Sequence, residues 1–168
     1  MYKNLATRHI ARIALLMFLL SSPVYASSGD GLKAAEMDDY KTAFKKWFAQ
    51  AKNGNPSMQA TIAVLYHAGQ GVKQDYKQAF YWYKKAAERG NSAAQVNLGV
   101  MYAKGTGTRQ NLIESYAWYS VAAVANTKKK LGNQIWGIDA VSAQLSKAEL
   151  AKAKQLASQY QKKYNVKK

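Results

Sequence analysis

The chain has 168 residues, with 25 basic residues against nine acidic ones and a formal net charge of +16. It contains no cysteine, which excludes a disulfide framework, a thiolate metal centre and a cysteine nucleophile and leaves packing as the source of stability. The length suits one domain of moderate size, and the charge predicts solubility, a monomeric tendency and attraction to anionic surfaces.

In chain order, the first feature is a processing signal. Lys3, Arg8 and Arg12 precede the apolar run Ile13 to Leu20, and Val24-Tyr25-Ala26 then supplies small residues at the positions that determine cleavage. This layout predicts a secretory signal peptide over residues 1–26 and an exported product, periplasmic or secreted. The apolar run is shorter than the roughly 20 residues a spanning helix needs, and no later stretch could span a membrane. An uncleaved N-terminal anchor is the competing reading. Three basic residues and no acidic ones lie in this segment, so the remainder would carry +13.

Residues 27–39 read as a short lead, and a duplication begins after them. Tyr40, Ala43, Phe44, Ala51, Gly54 and Asn55 recur 36 residues later as Tyr76, Ala79, Phe80, Ala87, Gly90 and Asn91. The register continues more loosely through Leu112, Tyr116, Tyr119 and Ala123, and Trp118 follows Trp82 at the same interval. The segment from Ala60 to Asp75 likewise matches Val96 to Asn111, including the Gly69-x-Gly71 and Gly105-x-Gly107 turns. A fixed period of this size marks a solenoid, in which each unit buries its apolar face only by stacking on a neighbour.

Each unit predicts two helices. The first runs from about Ser57 to His67 and again from Ser92 to Ala103, stopped by Gly69 and Gly105 in the left-handed conformation. The second runs from about Asp75 to Arg89 and from Asn111 to Val124, with Asp75 and Asn111 as N-caps. No stretch alternates with period two, so no strand is expected. On a helical wheel Tyr76, Ala79, Phe80, Trp82, Tyr83, Ala86 and Ala87 share one broad arc, which predicts that Phe80, Trp82 and Tyr83 are core. Tyr81 points instead with Lys77, Lys85 and Glu88, and is a candidate contact residue.

AFYWYKKAAERGNSAAQVNLGVMYAKGTG, with the following AWYSVAA, resembles the Sel-1-like repeat, a relative of the tetratricopeptide repeat. The likeness spans about residues 40–126, two full repeats plus a partial one. Ala63 departs from the glycine that the family favours, Thr108 from valine and Asn111 from aspartate. The resemblance implies an all-α fold, a short right-handed solenoid of antiparallel helix pairs, and a protein–protein scaffolding role without catalysis. Residues 127–168 then read as C-terminal capping helices and a basic tail. A helix is expected around Leu131 to Gln144. A last helix follows the capping-box spacing Ser146 to Glu149, with Leu150, Ala153, Leu156, Ala157 and Tyr160 as its apolar stripe.

The chemistry is sparse. His67 is the only histidine outside the signal segment, so a nitrogen–sulfur zinc site within one chain is excluded. A Ser-His-Asp triad would depend on it alone, with no carboxylate within a helical turn and no nucleophile elbow. The glycines lack the lysine and strand context of a phosphate loop. No catalytic residue, metal site or cofactor is predicted. Surface remains. In tetratricopeptide relatives the first helices line the concave side, and that geometry selects Ser57, Ala60, Val64, His67 and Ala68, then Ala93, Val96, Val100, Ala103 and Lys104. Val64, His67, Val96, Val100 and Lys104, with Tyr81, are the candidate partner-binding residues for an extended peptide or a helix. Neighbouring repeats or the C-terminal helix could fill the same groove. The expected function is a protein–protein adaptor in a cell-envelope assembly. The alternative, suggested by Lys128 to Lys130, Lys162-Lys163 and Lys167-Lys168, is a module that binds an anionic polymer such as peptidoglycan or acidic polysaccharide. Export argues against a nucleic-acid partner.

Overall fold

The computed structural model describes residues 39–125 and 132–164 of the chain. The predicted signal segment, the lead before Asp39, the lysine run 128–130 and the last four residues lie outside them. The described residues form seven helices: α1 (Tyr40–Lys52), α2 (Pro56–Ala68), α3 (Tyr76–Glu88), α4 (Ser92–Lys104), α5 (Leu112–Ala125), α6 (Gly132–Ser142) and α7 (Lys147–Tyr164). No strand occurs among these residues. Consecutive helices from α1 to α6 pack on one another, and α7 returns to pack on α5. The result is a short α-solenoid. In it α2–α3 and α4–α5 are the two complete hairpins and α1 is the second helix of a preceding unit.

The helix limits follow from local chemistry. Asp39 accepts the backbone N–H of Thr42 at 3.1 Å. Asp75 does the same for Lys77 and Gln78 at 2.9 and 3.0 Å, and Asn111 for Glu114 at 3.1 Å. Asn55 and Asn91 cap the first helices in the same way. Each such cap stabilises its helix by about 1 kcal/mol. Gly69 and Gly105 end α2 and α4 at φ +70° and +69°, where a residue with a β-carbon is strained. The Ser146–Glu149 capping box forms as expected: the Ser146 N–H donates to Glu149 Oε2 at 2.9 Å, and the Glu149 N–H donates to Ser146 Oγ at 3.3 Å.

Stacking of the units is directed by backbone approach as much as by side chains. Gly71, at φ +68°, lies so close to the start of α1 that a β-carbon there would stand 2.1 Å from the Tyr40 carbonyl oxygen. Gly107, at φ +72°, meets Tyr76 O at the same 2.1 Å. Each loop within a hairpin therefore seats on the beginning of the second helix one unit earlier. Gln59 and Gln95 are fully buried, and each donates its Nε2 hydrogen at 3.1 Å to a carbonyl near the end of the preceding second helix, Ala51 O and Ala87 O. Those carbonyls lie where a helix runs out of its own donors. Arg89 adds a contact at the same end, with Nη1 donating to Gly54 O at 2.8 Å.

The rings fill the space this framework leaves. Phe44 meets Tyr66 edge-to-face at 5.4 Å, and one period later Phe80 meets Tyr102 at 5.2 Å. Trp47, Trp82, Tyr83 and Trp118 are buried, and Phe80 is half-buried against the same core. Tyr76 stands apart from these rings. It is 39% exposed, because it stands in the first turn of α3, at the edge of the apolar arc, and lies over His67 rather than inside the core.

The two classes of glycine separate by substitution. Gly71→Ala and Gly107→Ala combine a left-handed φ with a backbone collision, and each is expected to cost upwards of about 3 kcal/mol. Gly90→Ala has a similar φ of +84° but its nearest neighbour is 3.6 Å away, so about 1–2 kcal/mol is expected. Urea denaturation of the three variants checks the order; equal losses would mean that the loop contact with the preceding helix contributes nothing.

Candidate interaction surface

Five of the six candidate contact residues lie on the first helices and one does not. Val64, Val96 and Val100 are half-buried, while His67 and Lys104 are exposed at the C-terminal ends of α2 and α4. Ala68 is exposed, and Ser57, Ala93 and Ala103 are half-buried. Ala60, selected for the same lining, is only 1% exposed and belongs to the core. Tyr81 is 46% exposed on α3, a second helix, edge-on to Trp82 at 5.2 Å and under Lys85 Nζ at 4.7 Å from the ring centroid. It is a cation–π partner of its own helix, separate from the α2–α4 residues.

The lip of this surface is ordered by residues that the sequence reading passed over. Gln74 donates from Nε2 to the His67 carbonyl oxygen at 2.8 Å and to the Tyr76 hydroxyl at 3.0 Å. Gln110 repeats the first bond, to Ala103 O at 2.8 Å. The signal was present, since Gln74 and Gln110 stand 36 residues apart, as do Gln59 and Gln95. The His67 and Tyr76 rings meet edge-to-face at 5.1 Å. The packing around the imidazole holds its pKa below the usual histidine range, and the Lys104 ammonium acts in the same direction.

Among the described residues α6, and not α7, packs against α4. α7 packs on α5, where Trp118 receives Tyr160 and Tyr164 at centroid distances of 5.0 and 5.3 Å. The Tyr160 hydroxyl reaches both Glu114 carboxylate oxygens at 3.2 Å, and Gln161 Nε2 donates to Ser120 O at 3.3 Å. Ala153 and Ala157 are the buried points of the predicted stripe; Leu150, Leu156 and Tyr160 are half-buried. Burial raises the Glu114 pKa from its ordinary 4.5, with the Tyr160 hydrogen bond and Lys84 opposing. It also pushes the Tyr102 hydroxyl up to about 12, helped by Glu114 and Glu88.

The remaining concavities carry little chemistry. A pocket of about 550 Å³ is lined by Tyr66, Val72, Lys73, Gln74, Asp75 and Gln78, but its one carboxylate is engaged as the α3 cap. Among the described residues no three histidine, cysteine, aspartate or glutamate side chains come together as metal ligands, and no helix is long and apolar enough to cross a membrane.

Stacked helix hairpins with a 36-residue period, a glycine-paired loop and a buried tyrosine–tryptophan seam place the chain among the short α-solenoid repeat proteins. The Sel1 repeat matches residues 56–91 and 92–123, so the chain carries two Sel1 repeats. Its fold is similar to the crystal structure of c5321, a protective antigen present in uropathogenic Escherichia coli strains that displays an SLR fold. The TM-score is 0.73 at 30% identity, over 80% of this chain and 29% of that one. It is also similar to a Sel1 repeat protein from Oxalobacter formigenes, at TM-score 0.50 and 36% identity over 59% of this chain and 41% of that one. The chain thus spans less than half the length of either. Comparison with curated proteins gave no match.

The raised Glu114 pKa has a signed consequence. The folded state holds this proton more tightly than the unfolded chain, so the Glu114 contribution to stability falls as pH rises through 4.5 and the folded-state value above it. Asp39 and Glu149 shift downward, through hydrogen bonds with Thr42 and Ser146, and act in the opposite sense. Glu114→Gln keeps an acceptor for Tyr160 and removes the titration. Thermal unfolding across pH 4 to 7 should show the variant gaining more stability with rising pH than the parent; identical profiles would place Glu114 in an unperturbed, solvated setting.

Proposed function

We propose that this Sel1-repeat chain is an exported, non-catalytic adaptor that binds another protein along α2 and α4 as part of a periplasmic cell-envelope assembly. The observation that carries this reading is that Val64, packed on the core edge, and Val96 and Val100 keep part of their surface exposed on α2 and α4, away from the α5–α7 contact. Such residues offer a partner helix or extended segment apolar anchors with polar groups at the rim, the arrangement that recurs in peptide recognition. The Sel1 repeat itself supports a scaffold role. The layout of residues 1–26 supports export.

The test is capture from envelope fractions with the processed chain and with a Val96→Asp, Val100→Asp, Lys104→Glu variant whose helicity is checked by circular dichroism. Capture should fall at least tenfold, since burying an unpaired charge in such a contact costs several kcal/mol. A folded variant that captures its partner as well as the parent would remove the α2–α4 assignment.

A second reading has its own observation. Lys147, Lys152, Lys154, Lys162 and Lys163 are all exposed on α7, and the chain is strongly basic. An anionic envelope polymer such as peptidoglycan or acidic polysaccharide would meet that face. Sedimentation with purified polymer should then show binding that weakens steeply between 50 and 300 mM salt and drops when Lys162, Lys163, Lys167 and Lys168 become Gln. Binding indifferent to both changes would exclude this face.

A further inference from the structure

The pocket beside α3 has a counterpart one repeat later, and there the fold supplies an occupant. Tyr66, Val72, Lys73, Gln74, Asp75 and Gln78 line a space of about 550 Å³. One period of 36 residues on, Tyr102, Gln110, Asn111 and Glu114 stand in the places of Tyr66, Gln74, Asp75 and Gln78. The two settings are bonded alike. The Asp75 and Asn111 N–H groups donate to Tyr66 O and Tyr102 O, both at 2.9 Å. Gln74 and Gln110 donate to His67 O and Ala103 O, both at 2.8 Å. Phe44 and Phe80 meet the two tyrosine rings edge-to-face.

The second setting is covered by α7. That helix lies along α5, and a β-carbon on Gly90, just past the end of α3, would stand 3.6 Å from Tyr164 O. From there the Tyr160 hydroxyl donates toward both Glu114 oxygens at 3.2 Å, while its ring rests on Trp118 at 5.0 Å. In the first setting Phe48 of α1 already covers Trp82, at 5.4 Å, so that indole needs no further ring. What stays open is the polar end. Gln78, in the place of Glu114, is exposed, and its side chain makes no hydrogen bond among the described residues. The Asp75 side chain is engaged by the N–H groups of Lys77 and Gln78, which leaves the Gln78 amide as the acceptor of this pocket.

We infer that the pocket at Gln78 is a separate docking site, which takes a tyrosine side chain presented on a helix of a partner protein, as α7 presents Tyr160 to Glu114. The phenol donates to Gln78 Oε1, and its ring lies against Val72 and Tyr66, so one side chain uses both the polar and the apolar lining. A neutral amide in place of the carboxylate means that no charge is desolvated when the hydroxyl arrives. The site uses none of the valines of α2 and α4, and it stands whether or not they bind a partner.

The experiment displays on phage a helix with the 18-residue sequence of α7, randomised at positions 153, 157, 160, 161 and 164, and selects it against the processed chain. The recovered helices should carry tyrosine at one of these positions. With one of them made as a fluorescein-labelled peptide, Gln78→Ala should weaken binding about fivefold, the effect of one hydrogen bond. Exchange of the peptide tyrosine for phenylalanine should do the same, and the two changes together should cost no more than either alone. Gln78→Trp, which fills the pocket, should abolish binding, whereas Val96→Asp with Val100→Asp should leave it unchanged. Circular dichroism checks that each variant is folded. No recovered helix, helices without tyrosine, or losses that simply add would overturn the inference. So would binding retained by Gln78→Trp, which would mean exchange with α7 itself, or binding lost with the valines, which would point to the α2–α4 surface instead. A dimer of the chain alone that Gln78→Ala dissolves, seen by sedimentation, would make a second copy the occupant and overturn the partner assigned here.

Discussion

The contact on which the architecture turns is the seating of a bare backbone loop on the start of an earlier helix. Gly71 against Tyr40 and Gly107 against Tyr76 bring two main chains so near that no β-carbon fits between them. In a solenoid each unit has only its neighbours for support, so the spacing and rotation between units must be set by features that repeat. This contact repeats with the same geometry in both complete hairpins. The left-handed glycines at Gly69 and Gly105 turn the chain into that loop, and Asp75 and Asn111 restart the helix as it leaves.

Once that spacing is set, the remaining polar groups near the seam find partners by symmetry. Gln59 and Gln95 each reach a carbonyl at the end of the helix before them, although their Oε1 atoms, like the Trp47 and Trp82 indole N–H groups, are buried without a partner. Unpaired buried polar atoms weaken a core. Here they sit among close-packed rings, and the seam tolerates them because apolar burial on both sides is large. Phe48 covers Trp82 in the first complete unit, whereas the corresponding position before Trp118 is Lys84. The gap is met from the far end of the chain, where Tyr160 and Tyr164 stack on Trp118. α7 is thus a cap shaped to one irregular repeat.

The same arrangement separates what the chain uses for itself from what it leaves available. Trp47, Trp82 and Trp118 and most of the described tyrosines are consumed by packing. The small valines of α2 and α4 stay half-exposed, with a histidine and a lysine whose helix ends are already satisfied by Gln74 and Gln110.

Much of the fold was legible in the sequence because repetition announces itself. The 36-residue register, the glycine stops and the Asx caps are local or periodic signals, and the helices fall within a residue or two of where those signals place them. The concave candidates Val64, His67, Val96, Val100 and Lys104 came from the resemblance to tetratricopeptide relatives and not from the period itself. What only the tertiary structure decided depends on contacts between residues distant in the chain. Periodicity could not show that Ala60 is sealed into the core, that Tyr76 covers His67, or that Tyr81 stands apart with Lys85. Nor could it choose between α5 and the first-helix face as the seat of α7. That choice depended on Lys84 leaving Trp118 open for two tyrosines more than 40 residues away, a complementarity of shape that exists only after the helices have stacked.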